Sequence, residues 1–291
     1  MAYATGVDAA AKTRLSEALF FDIETSAHPD GGDFAFLIGA GRFEGTTFVT
    51  DQIFCRDPGE EASSLRVLNK MTDACGWVVT FNGRGFDVPF VANRMRAHRL
   101  ETDLVMRPHV DLLDPSRKLF KGAFKNCRLL TLEREVVGVR RKRDIPSGMI
   151  PGRYGEFLAA GDAAMLRETF DHNHYDVATM AGLILGITRL VHDGEPDAAR
   201  LPGRVAQLVG QWHVRHGNPE RAIPFFESVD GENPNARHDA LRDLATIFKK
   251  AGRLDKAAVC YETMIADQEA LDRFDVWPYE ELAKLFGTHG K

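Results

Sequence analysis

The segment Ala18-Leu19-Phe20-Phe21 most constrains the fold of this chain, because it leads directly into Asp22-Ile23-Glu24. A short apolar run of this kind is typical of a buried strand. Side chains alternate along a strand, so Asp22 and Glu24 project from the same face of the sheet. Two carboxylates on one face repel each other, and a hard cation such as Mg²⁺ or Mn²⁺ between them removes that repulsion. The pair alone is also typical of a solvated strand end.

Further apolar segments predict an α/β domain. Two β-rich runs flank a turn at Glu44-Gly45 and predict an antiparallel meander with the first strand. Strands and helices then alternate, which predicts a mixed sheet flanked by helices. The predicted elements are strands over Ala35–Phe43, Thr47–Phe54, Trp77–Phe81 and His109–Leu113, helices over Glu60–Asp73, Asp87–His98, Arg128–Val137, Asp162–Phe170 and His172–His192, and a long loop over Arg140–Gly155.

The C-terminal part of the chain is helical and repeats itself with a spacing of 35 residues. The matched pairs are Gly217 with Gly252, Ala222 with Ala257, Phe226 with Tyr261, and Val209 with Leu244. A third, partial copy contains Leu282-Ala283, Phe286 and Gly290. The pattern resembles tetratricopeptide repeats, and an unrelated array of helical hairpins is the alternative. Breaks at 194–197 and 201–203 predict two domains, 1–194 and 203–291.

Composition excludes several classes of protein. Among 291 residues, 44% are hydrophobic and 27% are charged, which is typical of a soluble globular protein. No apolar run is long enough to span a bilayer, and Met1–Glu17 lacks the apolar core of a secretory signal. The four cysteines are scattered, so we expect reduced thiols, a cytoplasmic location and no membrane association.

A basic segment lies within this acidic protein. The segment from Pro115 to Arg143 has ten basic and two acidic residues, a net charge of +8, although the whole chain carries −5. Such a segment can contact the phosphates of a nucleic acid or form a solvated helix face and loop. Its last four basic residues, which we select as nucleic-acid contacts, are Arg140, Arg141, Lys142 and Arg143.

Two further acidic segments follow the first in the chain. Asn82-Gly83-Arg84-Gly85-Phe86-Asp87 lies between a buried strand and a helix, where Asp87 can be a helix cap or a metal ligand. In the second segment, His172 and Asp176 are spaced i, i+4 and share one helix face. Because that helix must pack on the sheet, Asp176 can face the strand end at Asp22. Four carboxylates converging in this way are enough for a site with two metal ions.

These segments together resemble the ribonuclease H-like superfamily, in the 3′–5′ exonuclease branch named for its Asp-Glu-Asp-Asp tetrad. The matching motifs, within residues 18–190, are Phe21-Asp22-Ile23-Glu24-Thr25, Phe81-Asn82-Gly83-x-x-Phe86-Asp87 and His172-x-x-x-Asp176. A bacterial subgroup with sequences like Asp111-Leu112-Leu113, Arg143-Asp144-Ile145-Pro146 and His172-Asn173-x-x-Asp176 is most similar, and some of its members precede helical repeats. The resemblance implies a ribonuclease H-like mixed α/β sheet flanked by helices, followed here by an all-α tetratricopeptide-like repeat domain.

The resemblance also implies the chemistry of the site. Asp22, Glu24, Asp87 and Asp176 would hold two Mg²⁺ or Mn²⁺ ions. Exonucleases of this superfamily place a Tyr four residues before the last Asp or a His five residues before it, whereas this chain has His172 four before. His172 therefore occupies the position of the tyrosine with the chemistry of the histidine subtype.

Other side chains have two readings each. Asn82 holds the helper position of the family, and Phe86 can either stack on a terminal base or pack in the core. His109 is expected to make a structural hydrogen bond, and metal ligation is the alternative. Asp144 is either a loop ion pair or a fifth acidic group near the site.

These inferences predict a metal-dependent 3′–5′ exonuclease that hydrolyses phosphodiester bonds in DNA or RNA, with its repeat domain recruiting a protein partner. Two alternatives stay open. One is a catalytically weak or inactive scaffold that acts through its repeats, and the other is a structure-specific endonuclease that shares the metal site.

Overall fold

A computed structural model describes residues 14–27, 32–192, 201–271 and 274–288. The chain divides into two compact units. The first consists of Met1–Pro115 and Cys127–Ile187, and the second of Ser116–Asn126 and Thr188–Lys291. The break predicted at 194–197 and the repeat position Gly290 lie outside the described residues. The predicted domain limits of 1–194 and 203–291 stay a prediction.

The first unit contains a five-stranded mixed sheet in the order β3-β2-β1-β4-β5. β1, β2 and β3 form the predicted antiparallel meander, whereas β4 and β5 run parallel to β1. The strands are β1 Ala18–Thr25, β2 Ala35–Glu44, β3 Thr47–Phe54, β4 Trp77–Thr80 and β5 His109–Asp111. The carboxyl ends of β1, β4 and β5 therefore lie at one edge of the sheet, which is where α/β proteins place their sites.

Helices cover the sheet, and most of them match the sequence prediction. In chain order the helices up to His192 are α1 Glu61–Asp73, α2 Asp87–Ala97, α3 Leu113–Phe120, α4 Leu129–Leu132, α5 Ile150–Ala160 and α6 Arg167–His192, with a π-helix at Glu133–Val137 directly after α4. From Ser116 onward α3 belongs to the second unit, as does α6 from Thr188. Buried side chains of α1 and α2 pack with those of β1 and β2 in one core cluster. The mixed sheet flanked by helices is thus confirmed.

Three local predictions were wrong. The loop expected over Arg140–Gly155 ends early, because α5 begins at Ile150 and tolerates Pro151 in its first turn, where no amide donor is needed. Tyr154 then stacks on Phe36, with ring centroids 4.1 Å apart. The strand expected over His109–Leu113 stops at Asp111, and α3 follows. The two helices expected around Asp171 are one continuous α6, since no residue there breaks a helix.

A row of three residues across the sheet fixes where α6 docks. Asp22 on β1 pairs with Gly39 on β2, and Gly39 pairs with Gln52 on β3. Asn173 of α6 lies over Gly39, since a Cβ built on that glycine would come within 2.4 Å of Asn173 Oδ1. The Gln52 amide donates to Asn173 Oδ1 at 3.1 Å, and Asn173 Nδ2 donates to Asp22 Oδ2 at 3.0 Å. Because Gly39 has no side chain, α6 approaches the sheet closely enough for Asn173 to hydrogen-bond Asp22.

The second unit consists largely of helices that pack in antiparallel pairs around one apolar core. They are α7 Gly203–Arg215, α8 Pro219–Glu227, α9 Pro234–Lys250, α10 Leu254–Ala266 and α11 Trp277–Thr288. Gly217 and Gly252 have positive φ angles of 76° and 71° in the turns after α7 and α9. Both members of three matched pairs are buried, namely Ala222 with Ala257, Phe226 with Tyr261 and Val209 with Leu244, whereas the two glycines are exposed. In the third copy, Phe286 is 66% exposed.

None of the helices in the described ranges is both long enough and apolar enough to cross a bilayer.

Replacing Gly39 by alanine tests the close approach of α6 to the sheet. We expect Gly39→Ala to lower the free energy of unfolding by about 1–3 kcal/mol, because its methyl group would overlap Asn173 and Val177. Urea unfolding followed by circular dichroism measures the change. Gly155→Ala is the control, since its Cβ meets nothing within 4 Å on a helix. Equal stability of the two variants would contradict the packing described.

Candidate active site

The site begins with the carboxylates at the end of β1. Asp22 and Glu24 are both half-buried on the same face of the strand. The register of β1 against β2 shifts between Glu24 and Thr25, so the regular ladder ends beside the second carboxylate. The side chain of Asp22 is held by Asn173, as described above. These contacts place both acids where the strand leaves the sheet.

The loop after β4 brings in the third carboxylate. Asp87 is the first residue of α2, and the helix cap is the backbone of Phe86 rather than the Asp87 side chain. Asp87 instead faces β1, where its Oδ1 accepts a hydrogen bond from the Ile23 amide at 3.3 Å. The Asp87 side chain is therefore not the helix cap, and its buried carboxylate faces the strand that carries Asp22 and Glu24. Its role as a metal ligand stays a prediction.

A buried aspartate at the end of β5 supports that loop. Asp111 accepts from the amides of Asn82 at 2.7 Å, Arg84 at 3.0 Å and Leu113 at 3.1 Å. Asn82 has a φ of +66°, in the left-handed region that asparagine tolerates better than most residues. Asp111 thus holds the turn that delivers Asp87. Next to it, His109 hydrogen-bonds the Thr80 hydroxyl at 2.8 Å, the structural contact expected for that histidine.

Helix α6 contributes the fourth carboxylate and the histidine. His172 is buried, and its Nδ1 lies 2.7 Å from Asp144 Oδ1, while its Nε2 lies 3.4 Å from Asp176 Oδ2. Ser147 Oγ is 3.5 Å from the same Nε2. Asp144 is therefore both a loop ion pair and an acidic group at the site. It orients the His172 ring toward Asp176.

Among the described residues, Arg141 is the only arginine or lysine that forms an ion pair with the tetrad. Its side chain is 2% exposed, and Nη2 contacts Asp176 Oδ1 at 2.5 Å and Glu133 Oε2 at 2.7 Å. Nη1 lies 3.2 Å from Asp144, and the Thr179 hydroxyl donates to Glu133 at 2.5 Å. One buried guanidinium thus joins three carboxylates. The prediction that Arg141 lies on an exposed phosphate-binding surface was wrong, because these carboxylates draw it inward.

The carboxylates disturb one another's titration. Burial, together with the charges of Asp176, Asp87 and Asp144, raises the pKa of Glu24 to about 8. Burial and the charge of Asp87 likewise raise the pKa of Asp22. Burial raises the pKa of Asp87 to about 6, against the lowering effect of its backbone hydrogen bonds. The four acids thus share one poorly solvated region in which their negative charges oppose one another.

The pKa of Asp176 is raised mainly by burial, while His172 and Arg141 act to lower it. Burial lowers the pKa of the Arg141 guanidinium, but Glu133 and Asp176 outweigh burial and leave it raised. Asp176 is therefore the one member of the tetrad with a charge partner of opposite sign.

The donor set fits a divalent hard cation by its chemistry. All four side chains offer oxygen only, and their charges need a counter-charge that Arg141 supplies to Asp176 alone. Over the described ranges, however, no three His, Cys, Asp or Glu side chains are yet arranged around a point where an ion would fit.

Comparison with known proteins gives the family. A family model described as the RNase_H superfamily matches residues 19–186. The chain belongs to the RNase_H superfamily. The matched range agrees with residues 18–190, over which the acidic motifs carry the resemblance.

One curated relative and two solved structures are similar to this chain at sequence identities of 15–29%. Uncharacterized protein YprB of Bacillus subtilis (strain 168) is 29% identical over 272 residues, which is 92% of this chain and 64% of the relative's own length. The family B DNA polymerase from the hyperthermophilic archaeon Pyrobaculum calidifontis has a TM-score of 0.45 at 15% identity, covering 79% of this chain and 29% of the polymerase. Brucella melitensis NrnC bound to pGG has a TM-score of 0.40 at 20% identity, covering 71% and 83% of the two chains.

The remaining residues selected from the sequence lie around the site. Asn82 and Phe86 are exposed on the loop before α2, and the ring centroid of Phe86 lies 5.5 Å from that of Phe90. Phe86 is 48% exposed, so the core reading of this residue was wrong. Arg140, Lys142 and Arg143 are exposed in the loop that carries Arg141.

Sequence reasoning missed the residues that hold the carboxylates in place. The bond from Asn173 to Asp22 could have been suspected from Asn173 lying next to His172 in a matching motif. Thr179 and Gln52 have no local signal, because their contacts with Glu133 and Asn173 span 46 and 121 positions of the chain. Glu133 contacts Arg141 across only 8 positions, but its spacing alone does not reveal a buried ion pair. Only the folded chain brings them to the site.

Glu24→Gln tests the electrostatic cost of the site. The folded-state pKa of Glu24 is about 8 and its ordinary value is 4.5, so the folded state retains a proton that unfolding releases between these values. The stability contributed by Glu24 is therefore full below about pH 4.5 and is lost as pH rises toward 8. We expect Glu24→Gln to melt about 5 °C above the unmodified protein at pH 8 in EDTA, with the difference shrinking toward pH 5.

Differential scanning fluorimetry across that pH range measures the effect. Glu101→Gln, a change at an exposed side chain, is the control and should be neutral at every pH. Added Mn²⁺ should stabilise the unmodified protein more than Glu24→Gln. A variant that is less stable than the unmodified protein at every pH would refute the charge crowding.

Arg141→Gln tests the buried ion network. The substitution leaves Glu133 and Asp176 without their cation, so we expect the free energy of unfolding to fall by about 3–5 kcal/mol at pH 7. Adding Glu133→Gln should restore part of the loss, because one unpaired charge is removed. Arg134→Gln, which breaks an exposed pair with Glu135, should cost at most about 1 kcal/mol. Equal losses for the two arginines in urea unfolding would show that Arg141 has no special role.

Proposed function

We propose that this protein is a metal-dependent nuclease that hydrolyses phosphodiester bonds as a 3′–5′ exonuclease on DNA or RNA. The observation that carries the proposal is the meeting of Asp22, Glu24, Asp87 and Asp176 in one poorly solvated region. Such crowding of like charges costs stability, and functional sites are where proteins retain such arrangements. Membership of the RNase_H superfamily supports the same conclusion.

Asp22, Glu24, Asp87 and Asp176 would hold two Mg²⁺ or Mn²⁺ ions. When bound, divalent ions supply an activated water and stabilise the charge on the leaving oxygen. Neighbouring groups of the protein would orient the carboxylates for this role. Asn173 orients Asp22, the Ile23 amide orients Asp87, and Arg141 orients Asp176. Each of these contacts leaves at least one carboxylate oxygen for a ligand.

His172 would act as the base that accepts a proton from the attacking water. Asp144 accepts from Nδ1, which favours the tautomer whose Nε2 carries no proton. Nε2 faces Asp176, so a proton taken from water at Nε2 would be held between the ring and that carboxylate. The one-residue shift from the histidine subtype is thus accompanied by an orienting partner of its own, Asp144.

The exposed residues around the site would contact the nucleic acid. Phe86 offers an aromatic face to a terminal base, and Asn82 lies beside it on the same loop. Arg140, Lys142 and Arg143 would contact phosphates. Arg141 is not included in this set, because its buried guanidinium forms an ion pair with Glu133.

The helical hairpins of the second unit would bind a protein partner as tetratricopeptide-like repeats. The 35-residue spacing and the two glycine turns support this reading. A cytoplasmic location stays a prediction from the scattered cysteines.

The alternative from a different class is a catalytically inactive scaffold. One observation favours it, which is that Arg141 already provides Asp176 with the positive charge that a metal would supply. A structure-specific endonuclease would share the site, but its cleavage would not depend on a free 3′ end.

Asp22→Asn decides among these functions. We expect the unmodified protein to shorten 5′-labelled DNA or RNA from its 3′ end with Mg²⁺ or Mn²⁺. Asp22→Asn should lose at least about 10³-fold in rate and keep its fold, because the strand and the Asn173 contact tolerate an amide. The assay compares single strands and duplexes with either end labelled. Asp255→Asn, in the helical unit, is the matched control.

Full activity of Asp22→Asn would refute the assignment of the site. Internal cuts without dependence on a 3′ end would indicate the endonuclease. Absence of cleavage with either metal, by a protein that melts cooperatively, would favour the scaffold.

A further inference from the structure

A groove of about 550 Å³ lies in the first unit, beside the carboxylate site. Four basic side chains line it, and they come from three separate parts of the chain. These are Lys142 and Arg143 from the loop before α5, Arg153 from α5 and Arg167 from the start of α6. Tyr175 lines the groove as well. These five residues define what we call the basic groove.

The positive charges in the basic groove are available to a ligand. Lys142, Arg143 and Arg167 are exposed and have no ion-pair or hydrogen-bond partner among the described residues. Arg153 pairs with Glu156 at 3.0 Å, at a site with one-third of the arginine side chain exposed. Unpaired cations gathered around a cavity are the arrangement that binds a polyanion.

Two acidic residues also line the groove, Glu168 and Asp171 in the first turns of α6. Both are exposed. Neither forms an ion pair with the four basic residues, so these acids reduce the local charge without blocking the cations. The lining keeps an excess of positive charge on a chain whose net charge is −5.

The basic groove adjoins the carboxylate site through two of its lining segments. Lys142 and Arg143 directly precede Asp144, which holds His172. Tyr175 directly precedes Asp176, and its ring lies under the Arg141 guanidinium at 5.3 Å. The Arg141 guanidinium therefore contacts both the Tyr175 ring and the Asp176 carboxylate. A ligand in the groove would lie next to the tetrad.

Tyr175 identifies the form of polyanion that fits. Its side chain keeps 36% of its surface exposed although Arg141 holds one part of the ring. Proteins that bind single strands combine a basic groove with aromatic rings on which bases stack. A duplex keeps its bases paired and stacked, so their faces are not offered to a ring in this way.

We propose that the basic groove binds the phosphodiester backbone of a single-stranded nucleic acid, with a base stacked on Tyr175, as the strand leaves the carboxylate site. This inference rests on the proposed function and names its substrate class. DNA and RNA share the backbone that the groove would recognise. Arg143 and Arg167 contact phosphates, and Tyr175 holds a base.

Binding is measured by fluorescence anisotropy in the full chain carrying Asp22→Asn, so that cleavage does not interfere. The probes are a labelled 12-mer as single-stranded DNA, as single-stranded RNA of the same sequence and as blunt duplex DNA. Arg143→Glu with Arg167→Glu is compared with Arg66→Glu with Lys70→Glu, an equal charge change at exposed positions of α1. Circular dichroism melting checks folding, and Arg143→Gln with Arg167→Gln replaces the reversal if that protein is unfolded.

We expect the groove variant to bind single strands at least about 10-fold more weakly than the control variant. Its slope of log K against log salt should fall by about 1.4, which corresponds to two lost phosphate contacts on a single strand. Tyr175→Ala should weaken binding about 5- to 10-fold with an unchanged salt slope. The duplex should bind more weakly than at least one of the single strands.

Two outcomes would overturn the inference: equal binding by the groove and control variants, or tighter binding of blunt duplex than of either single strand. Hydrolysis of bis(p-nitrophenyl) phosphate by the unmodified protein with Mn²⁺ tests the proposed function separately, because that small diester needs only the carboxylate site. Failure of that hydrolysis with intact single-strand binding would reject the nuclease and keep the groove.

Discussion

The close approach of α6 to the sheet over Gly39 is the contact on which the rest of the site depends. Gly39 lies between Asp22 and Gln52 in one row across three strands, and Asn173 fills the space that a larger residue would take. From that position Asn173 accepts from Gln52 and donates to Asp22. The same helix turn then carries His172 and Asp176 to the strand end. One glycine therefore sets the distance between the helix and sheet carboxylates.

Electrostatic repulsion is the cost of bringing those carboxylates together. Glu24, Asp22 and Asp87 all have raised pKa values because burial and neighbouring charges oppose their ionisation. Arg141 relieves this only for Asp176, and it is itself buried with Glu133. The repulsion between these carboxylates lowers the stability of the folded state. Functional sites that bind a ligand of opposite charge commonly have this cost. The same guanidinium lies against Tyr175, so the charge network also shapes the adjoining basic groove.

Much of the first unit could be predicted from local patterns. The strands at Ala18–Thr25 and Trp77–Thr80 are short apolar runs, and the meander follows from its turn at Gly45. Asp22, Glu24, Asp87 and Asp176 could be selected because each lies at the end of an element or on a helix face directed to the sheet. Helix α5 was missed because Pro151 and Gly152 normally mark a loop, yet a proline in the first turn loses no hydrogen bond. Arg141 was misplaced because its position in a run of basic residues says nothing about the carboxylates around it.

The sequence by itself determined the order of elements, the alternation that puts two acids on one face of β1, and the helical hairpins that repeat every 35 residues. These are local properties, set by periodicities of two and 3.6 residues and by glycines at turns. Tertiary structure alone decided which charges are paired and which are free. It buries the Arg141 side chain against Glu133 and Asp176 and brings Asn173 within hydrogen-bond distance of Asp22. In the same fold Arg143 and Arg167 line one groove without an ion-pair partner in the described part of the chain. The physical reason is that burial and ion pairing depend on distances between residues far apart in the chain.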